Sequence, residues 1–270
     1  MIKTKPLDFC LLIPCYNNFE GLIRSLNSVV YHIDRFIILI VDDGSETPVT
    51  ISHVRSAMQN NYSVFILRKK RNDGITAALN DGLKWIEENA PVHYVARLDC
   101  GDICHPSRFY KQMDYLQNHP NVGLLGSWCK FENRNLSLHY QYKTPTEHKT
   151  IKKSMYFRNV FIHPTVFFKT SLLKEVGYYP NDFLYVEDYA LFWKLIKVSP
   201  SHILDEFLMT CEINGKGISL KNRKKQLINR GKTIVRYGTN PFLKIIGLLR
   251  AYALLLIPSG LSLSLKKNRK

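Results

Sequence analysis

Four apolar runs, each stopping abruptly in polar or glycine-containing residues, constrain this chain more than any other feature. Leu7 to Ile13 ends in Pro14-Cys15-Tyr16-Asn17-Asn18, and Phe36 to Val41 ends in Asp42-Asp43-Gly44-Ser45. Ser63 to Leu67 runs into Arg68-Lys69-Lys70-Arg71-Asn72-Asp73-Gly74, and Val92 to Leu98 runs into Asp99-Cys100-Gly101-Asp102. Unbroken runs of this kind suit strands buried on both faces of a parallel sheet. Helical stretches separate them, over roughly Phe19 to Val30, Val49 to Asn60, and from Gly74 to Glu88. Strand alternating with helix predicts a doubly wound α/β layer. In such a layer the polar strand tips share one edge, where ligands bind.

The chain beyond Asp102 is less regular. Pro106 to Gln117 reads as a helix that turns Phe109, Met113 and Leu116 to the core. Val122 to Phe131 reads as a strand, with Leu136 to Tyr142 returning beside it, and Glu147 to Phe157 as a basic helix. His163 to Phe168 reads as extended, and Ser171 to Val176 as a short helix ended by Gly177. Tyr185 to Val198 predicts an amphipathic helix opening with Glu187 and Asp188, and Ile203 to Thr210 a last strand.

Charge divides the chain unevenly. The net charge is +16, yet no acidic residue follows Glu212, and 14 Lys and Arg lie between Lys216 and Lys270. The segment 1–212 is therefore nearly neutral, with 24 basic and 22 acidic side chains. Ser219 to Tyr237 predicts a basic helix. Phe242 to Ile257 is apolar but carries Lys244 and Arg250, and at 16 residues it is short for a membrane span. On a helical wheel Lys244, Gly247, Arg250 and Ala251 share one side and the Leu, Ile and Phe residues the other. That pattern predicts a helix lying in the plane of an anionic membrane surface, with Lys266, Lys267, Arg269 and Lys270 behind it. The alternative is a terminal helix packed on its own domain. The domains expected are 1–215, with halves meeting near 105, and a basic helical tail over 216–270.

No secretory signal is visible, since Phe9 to Ile13 is short and stops at Pro14. Six scattered cysteines show no framework spacing, and Cys100, Cys104 and His105 lack the further ligand a zinc site needs. Reduced thiols in a cytoplasmic protein are the expectation.

The carboxylates at the strand tips carry the chemistry. Asp99 and Asp102 suit a hard divalent cation shared with a diphosphate, because Mg²⁺ takes few protein oxygens. Asp102 equally suits the cap of the helix that Pro106 opens. The stretches Leu12-Ile13-Pro14-Cys15-Tyr16-Asn17, Ile40-Val41-Asp42-Asp43-Gly44-Ser45, Asn72-Asp73-Gly74 with Ala78-Leu79-Asn80-Asp81-Gly82, Ala96 to Asp102, His163-Pro164-Thr165 and Glu187-Asp188-Tyr189 together resemble the family 2 glycosyltransferases. In particular they resemble the bacterial enzymes of surface polysaccharide synthesis, such as O-antigen. The resemblance spans residues 7 to about 225.

It implies the GT-A fold, a Rossmann-like doubly wound mixed sheet, and transfer with inversion from a nucleotide-sugar donor in the presence of Mg²⁺ or Mn²⁺. Donor contacts fall on Pro14, Tyr16, Asn17, Asp42, Asp43, Arg71, Gly74 and Arg97, with the two arginines neutralising diphosphate charge. Asp99 matches the first carboxylate of the family's Asp-x-Asp metal motif. Gly101 stands where the second belongs and Asp102 follows, so either Asp102 reaches the metal or Asp99 holds it alone, with waters and the diphosphate completing the shell. Asp188 matches the general base, the device a sugar hydroxyl needs to become a nucleophile. Glu187 and His163 fall on the acceptor side, where His163 equally suits a structural role.

The Gln-x-x-Arg-Trp motif of processive members is absent, since Gln226 is followed by Leu-Ile-Asn-Arg. Transfer of a single sugar to a polyprenyl-diphosphate-linked or other oligosaccharide acceptor, at the inner face of the cell membrane, is therefore expected. Two other classes are weighed against this one. A nucleic-acid-binding tail would interleave aromatics with its basic residues, and Lys221 to Arg236 has none. A nucleotidyltransferase would show a glycine-rich phosphate loop after the first strand, which Pro14 to Asn17 is not.

Overall fold

The structure is a computed structural model that describes residues 6–133, 138–213 and 222–256. Strands β1 (Leu7–Cys15), β2 (Phe36–Asp42), β3 (Val64–Arg68) and β4 (Val92–Arg97) lie parallel, with β1 between β2 and β4. The first two strands are apolar on both faces because helices cover both. Cys10 and Leu12 pack with Leu79, Leu83 and Ile86 of α3 (Ile75–Asn89) on one side. Phe9, Leu11 and Ile13 pack with Leu22 and Leu26 of α1 (Phe19–Asn27) and Phe109 of α4 (Arg108–Asn118) on the other. Between them α2 (Ile51–Ala57) is shorter than its apolar pattern suggests. Thr50 caps its start, and Met58 is already extended.

Past β4 the sheet becomes mixed. β8 (Phe167–Lys169) runs antiparallel to both β4 and β6 (Leu124–Asn133), and β6 is parallel to β9 (Ser201–Glu212). β7 (Leu138–Tyr142) returns antiparallel along β6, as its position after a strand suggests. A two-residue strand, β5 (Ile103–Cys104), pairs with β9 and was not foreseen. The full order is β3-β2-β1-β4-β8-β6-β9-β5, with β7 beside β6.

One expected strand needs correction. His163–Thr165 forms a 3₁₀ turn before β8 rather than an extended run. The buried Arg108 guanidinium donates to the Pro164 and Arg97 carbonyls, each at 2.8 Å, and so holds that turn against the tip of β4. Because Ala96 pairs with Phe167, the turn sits at the same edge as the parallel strand tips. The second half continues with α5 (His148–Met155), α6 (Leu173–Val176) and α7 (Glu187–Val198).

Two helices close the described chain, α8 (Arg223–Tyr237) and α9 (Pro241–Leu256). α8 buries Leu227, Gly231, Thr233 and Ile234. α9 buries Gly247 and Ala251 and leaves Phe242, Ile245, Leu249, Tyr252 and Leu256 exposed. No helix among the described residues is long and apolar enough to cross a membrane. Lys216, Ser219, Lys221, Ile257 and the basic cluster Lys266 to Lys270 lie outside the described residues. The six cysteines carry free thiols.

Candidate active site

The loops leaving β1, β2 and β3 are tied to one another by the aspartates that end β2. Asp42 is wholly buried, and its carboxylate accepts from the backbone amides of Ser45 (2.9 Å) and Val49 (3.1 Å). Asp43 accepts from the amides of Asp73 (3.2 Å) and Gly74 (3.0 Å), and it pairs with Lys69 at 3.3 Å. Asn17, at positive φ, receives the Glu46 amide on its side chain and donates its own amide to Ser45 Oγ, both at 2.9 Å. These bonds fix a rim on which Tyr16 is exposed, while Pro14 is buried near the end of β1. Gly44 has φ +74 and approaches the Arg71 backbone so closely that no Cβ fits. Arg71 itself points outward, 85% exposed, and pairs with Asp73 at 2.9 Å.

Arg97 and Asp102 depart from their expected roles. Arg97 is fully enclosed, so it does not present a charge to a diphosphate. Its guanidinium donates to the Leu12 and Leu98 carbonyls, to His163 Nε2 at 3.3 Å, and to Asp99 Oδ1 at 2.6 Å. Asp102 is turned to β9, where its Oδ1 accepts from the Glu212 amide at 2.8 Å. Burial, then the charge of Asp99, pushes its carboxyl up to about 8. Gly101 has φ +106, and a Cβ there would lie 2.6 Å from Glu212 Oε2. That left-handed backbone disfavours any residue with a Cβ, an acidic one included.

Asp99 is the carboxylate left facing the cleft, with its side chain 40% exposed. The cleft has a volume of about 620 Å³ and brings Asp99 and Cys100 together with Asn159, His163, Glu187 and Asp188. Asp188 Oδ2 accepts from Asn159 Nδ2 at 2.9 Å, and Oδ1 from the Tyr189 amide at 2.7 Å. Burial first, and Glu187 beside it, raise the Asp188 carboxyl to about 7. Glu187 is raised chiefly by burial, and its Oε2 has no hydrogen-bond partner. His163 Nε2 meets the Tyr179 hydroxyl at 2.8 Å as well as the Arg97 N–H. Arginine can only donate, so Nε2 is the bare nitrogen. Burial and the Arg97 charge hold this histidine neutral, well below its ordinary pKa.

Sequence reasoning did not find Asn159, Tyr179 or Arg108, which orient Asp188, His163 and the 163–165 turn. Asn159 and Tyr179 lie outside the patterned stretches, and Arg108, at the start of a patterned helix, is not one of its apolar positions. Among the described residues no three His, Cys, Asp or Glu side chains are grouped closely enough to hold a metal ion by themselves. The donor set therefore fits a cation bound through Asp99, with phosphate and water oxygens completing the shell.

The sequence model of the family described as "Glycosyl transferase family 2" matches residues 10–177. The amylovoran biosynthesis glycosyltransferase AmsE of Erwinia amylovora is 30% identical over 207 residues, covering 74% of this chain and 74% of its own length. A UDP-Gal:alpha-D-GlcNAc-diphosphoundecaprenol beta-1,3-galactosyltransferase of Escherichia coli is 36% identical over 160 residues, 58% of this chain and 55% of its own. The bifunctional glycosyltransferase pgtA of Dictyostelium discoideum is 26% identical over 248 residues, and this chain spans 32% of its length. Among solved structures, S. aureus TarS 1-349 superposes with a TM-score of 0.67 at 17% identity, over 91% of this chain and 71% of that one. Mannosyltransferase PcManGT from Pyrobaculum calidifontis, in complex with GDP-Man and Mn²⁺, gives 0.66 at 17% identity, over 97% and 80%. At these identities the structural likeness is one of fold, the GT-A fold.

Proposed function

Because the chain belongs to glycosyl transferase family 2, we propose that it moves one sugar, with inversion, from a nucleotide-sugar donor to a lipid-linked oligosaccharide acceptor during surface polysaccharide synthesis. One observation carries the reading: Asp99 from the strand half and Asp188 from the helical half line the same cleft. Inversion by single displacement asks for one base facing the acceptor and a stabilised leaving group facing the donor. Asp188 is suited to the first role. Its two oxygens are steered by Asn159 and the Tyr189 amide, and burial raises its basicity toward neutral pH. It takes the proton of the acceptor hydroxyl as the new bond forms.

The donor lies along the rim made by Pro14, Tyr16, Asn17, Asp42, Asp43 and Gly74, with Arg71 outside it. Asp42 and Asp43 spend their carboxylates on loop amides, so they shape this rim more than they touch the nucleotide. Asp99 would hold Mg²⁺ or Mn²⁺, which would supply positive charge to the departing nucleoside diphosphate. Arg97 and His163 hold Asp99 and the 163–165 turn in place from behind.

The names of the Erwinia and Escherichia relatives support a polysaccharide pathway and a diphosphate-linked acceptor. The exposed apolar face of α9, beside the basic α8, supports peripheral attachment to the inner face of an anionic membrane. The test is release of nucleoside diphosphate from a panel of UDP-, GDP- and dTDP-sugars, with and without a polyprenyl-diphosphate-linked sugar. One donor should be hydrolysed slowly alone and much faster with acceptor, giving a product of opposite anomeric configuration. A product that keeps the donor's configuration would overturn the inverting mechanism.

A further inference from the structure

The cleft wall opposite Asp99 contains a cation that the reaction described above does not use. Arg230, on α8, lines the cleft together with Gln226 one turn earlier, as do Asp188 and Tyr189. Its Nε and Nη2 are buried, and among the described residues they have no hydrogen-bond partner. No carboxylate among the described residues pairs with it, whereas Arg236 on the same helix pairs with Asp182 at 3.1 Å. Gln226 does not answer it either, since its Nε2 donates to the Tyr185 carbonyl at 3.2 Å. Leaving N–H groups of a guanidinium enclosed and unsatisfied is costly, and native proteins rarely do so without a ligand to accept from them.

The surroundings add a second cation. Burial foremost, and also the charge of Arg250 on α9, depress the Arg230 pKa, while the Tyr189 hydroxyl, a hydrogen-bond partner for the remaining edge of the guanidinium, and Tyr142 act the other way. Arg250 thus adds like charge near Arg230, and no carboxylate among the described residues pairs with Arg230 to offset it. A planar fork with free N–H groups matches the oxygens of a phosphate. The same pair of helices carries the exposed apolar face of Ile245, Leu249 and Tyr252. A polyprenyl diphosphate asks for phosphate-binding donors and for an apolar surface, and this helix pair carries both.

We propose that Arg230, flanked by Arg250, binds the diphosphate of the lipid-linked acceptor and so sets the sugar hydroxyl beside Asp188. This rests on the glycosyltransferase reading above and adds to it the group by which the acceptor is held. The bound diphosphate satisfies the buried N–H groups and relieves the repulsion between the two arginines.

The experiment is calorimetric titration of the full chain with farnesyl diphosphate, with farnesol, and separately with UDP, GDP and dTDP, at several salt concentrations. Wild-type protein should bind farnesyl diphosphate well above farnesol, and more weakly as salt rises. Arg230→Gln should weaken farnesyl diphosphate about tenfold to a hundredfold, flatten the salt dependence, and leave nucleoside diphosphate binding intact. Arg230→Lys keeps the charge but not the fork, and should lose less. Arg250→Gln, at an exposed position, provides a folded variant with a smaller loss even if Arg230→Gln fails to fold. Unchanged farnesyl diphosphate binding in these variants, or loss confined to the nucleoside diphosphate, would overturn the proposal while leaving the donor reading intact. Wild-type protein that binds no nucleoside diphosphate would instead tell against the donor reading.

Discussion

Arg97 Nη2 donates to Asp99 Oδ1 at 2.6 Å across the boundary of the fold, for the Arg97 side chain has no exposure and that of Asp99 is 40% exposed. The buried cation therefore fixes one carboxylate oxygen and leaves the other for the cleft. Asp99→Asn keeps an oxygen for Arg97, so folding should survive, but it removes the charge a metal requires. Turnover of the donor should fall at least about 10²-fold, since several kcal/mol of leaving-group stabilisation goes with the metal. Excess chelator should do the same to wild-type protein, with recovery on adding Mn²⁺. Full activity in chelator would remove the metal from the mechanism.

Asp188 must be a carboxylate to take a proton, and its pKa is raised to about 7 by burial and by Glu187. The acid limb of kcat/KM should therefore fall through about pH 7, losing activity as pH drops. Asp188→Asn should abolish that limb, lower kcat by roughly 10²–10⁴-fold, and leave nucleoside diphosphate binding unchanged. A collapse of donor affinity instead would make Asp188 a donor contact.

For Asp102 the expected effect moves from metal binding to stability. Its pKa is about 8 in the folded chain against an ordinary 3.8, so the folded state holds the proton more tightly than the unfolded state. The contribution is fully present below pH about 4 and is lost as pH rises to about 8. Asp102→Asn can still accept the Glu212 amide on its Oδ1. Its Tm should consequently decline less between pH 5 and pH 8 than that of wild-type protein, with metal dependence unaltered. A variant that needs more Mn²⁺ would return Asp102 to the metal shell.

The parallel half of the fold was legible because strands buried on both faces must be apolar throughout, and Phe9 to Ile13 and Ile38 to Val41 are. The site was legible only in part. Asp99 and Asp188 announce themselves as carboxylates at element ends, but nothing local separates a solvated Arg71 from an enclosed Arg97. That difference arises from β8, whose pairing at Ala96–Phe167 brings His163 over the tip of β4. Asn159 and Arg230 reach the cleft from segments distant in sequence, so only packing reveals them. The two-residue β5 is too short to show a period of its own.

The contacts of α9 separate anchoring from attachment. Gly247 and Ala251 are buried on the body, where the Tyr156 hydroxyl also accepts the amides of Thr239 and Asn240 at 2.8 Å. Ile245, Leu249 and Tyr252 project away from that contact and are 59%, 65% and 64% exposed. Replacing these three by Ser should cost little folding stability, because exposed positions away from caps and cores tolerate change. Attachment should respond differently. Each Lys or Arg near an anionic surface contributes about 1 kcal/mol and is screened by salt, while burial of apolar surface is not. Wild-type protein should co-sediment with phosphatidylglycerol vesicles at low salt and remain partly bound at about 1 M salt. The triple variant should bind at low salt through charge alone and release completely at high salt. Donor hydrolysis in solution should be equal in the two proteins, since the substituted side chains do not line the cleft. A wild-type chain that stays in the supernatant at low salt would show that this face does not meet a membrane.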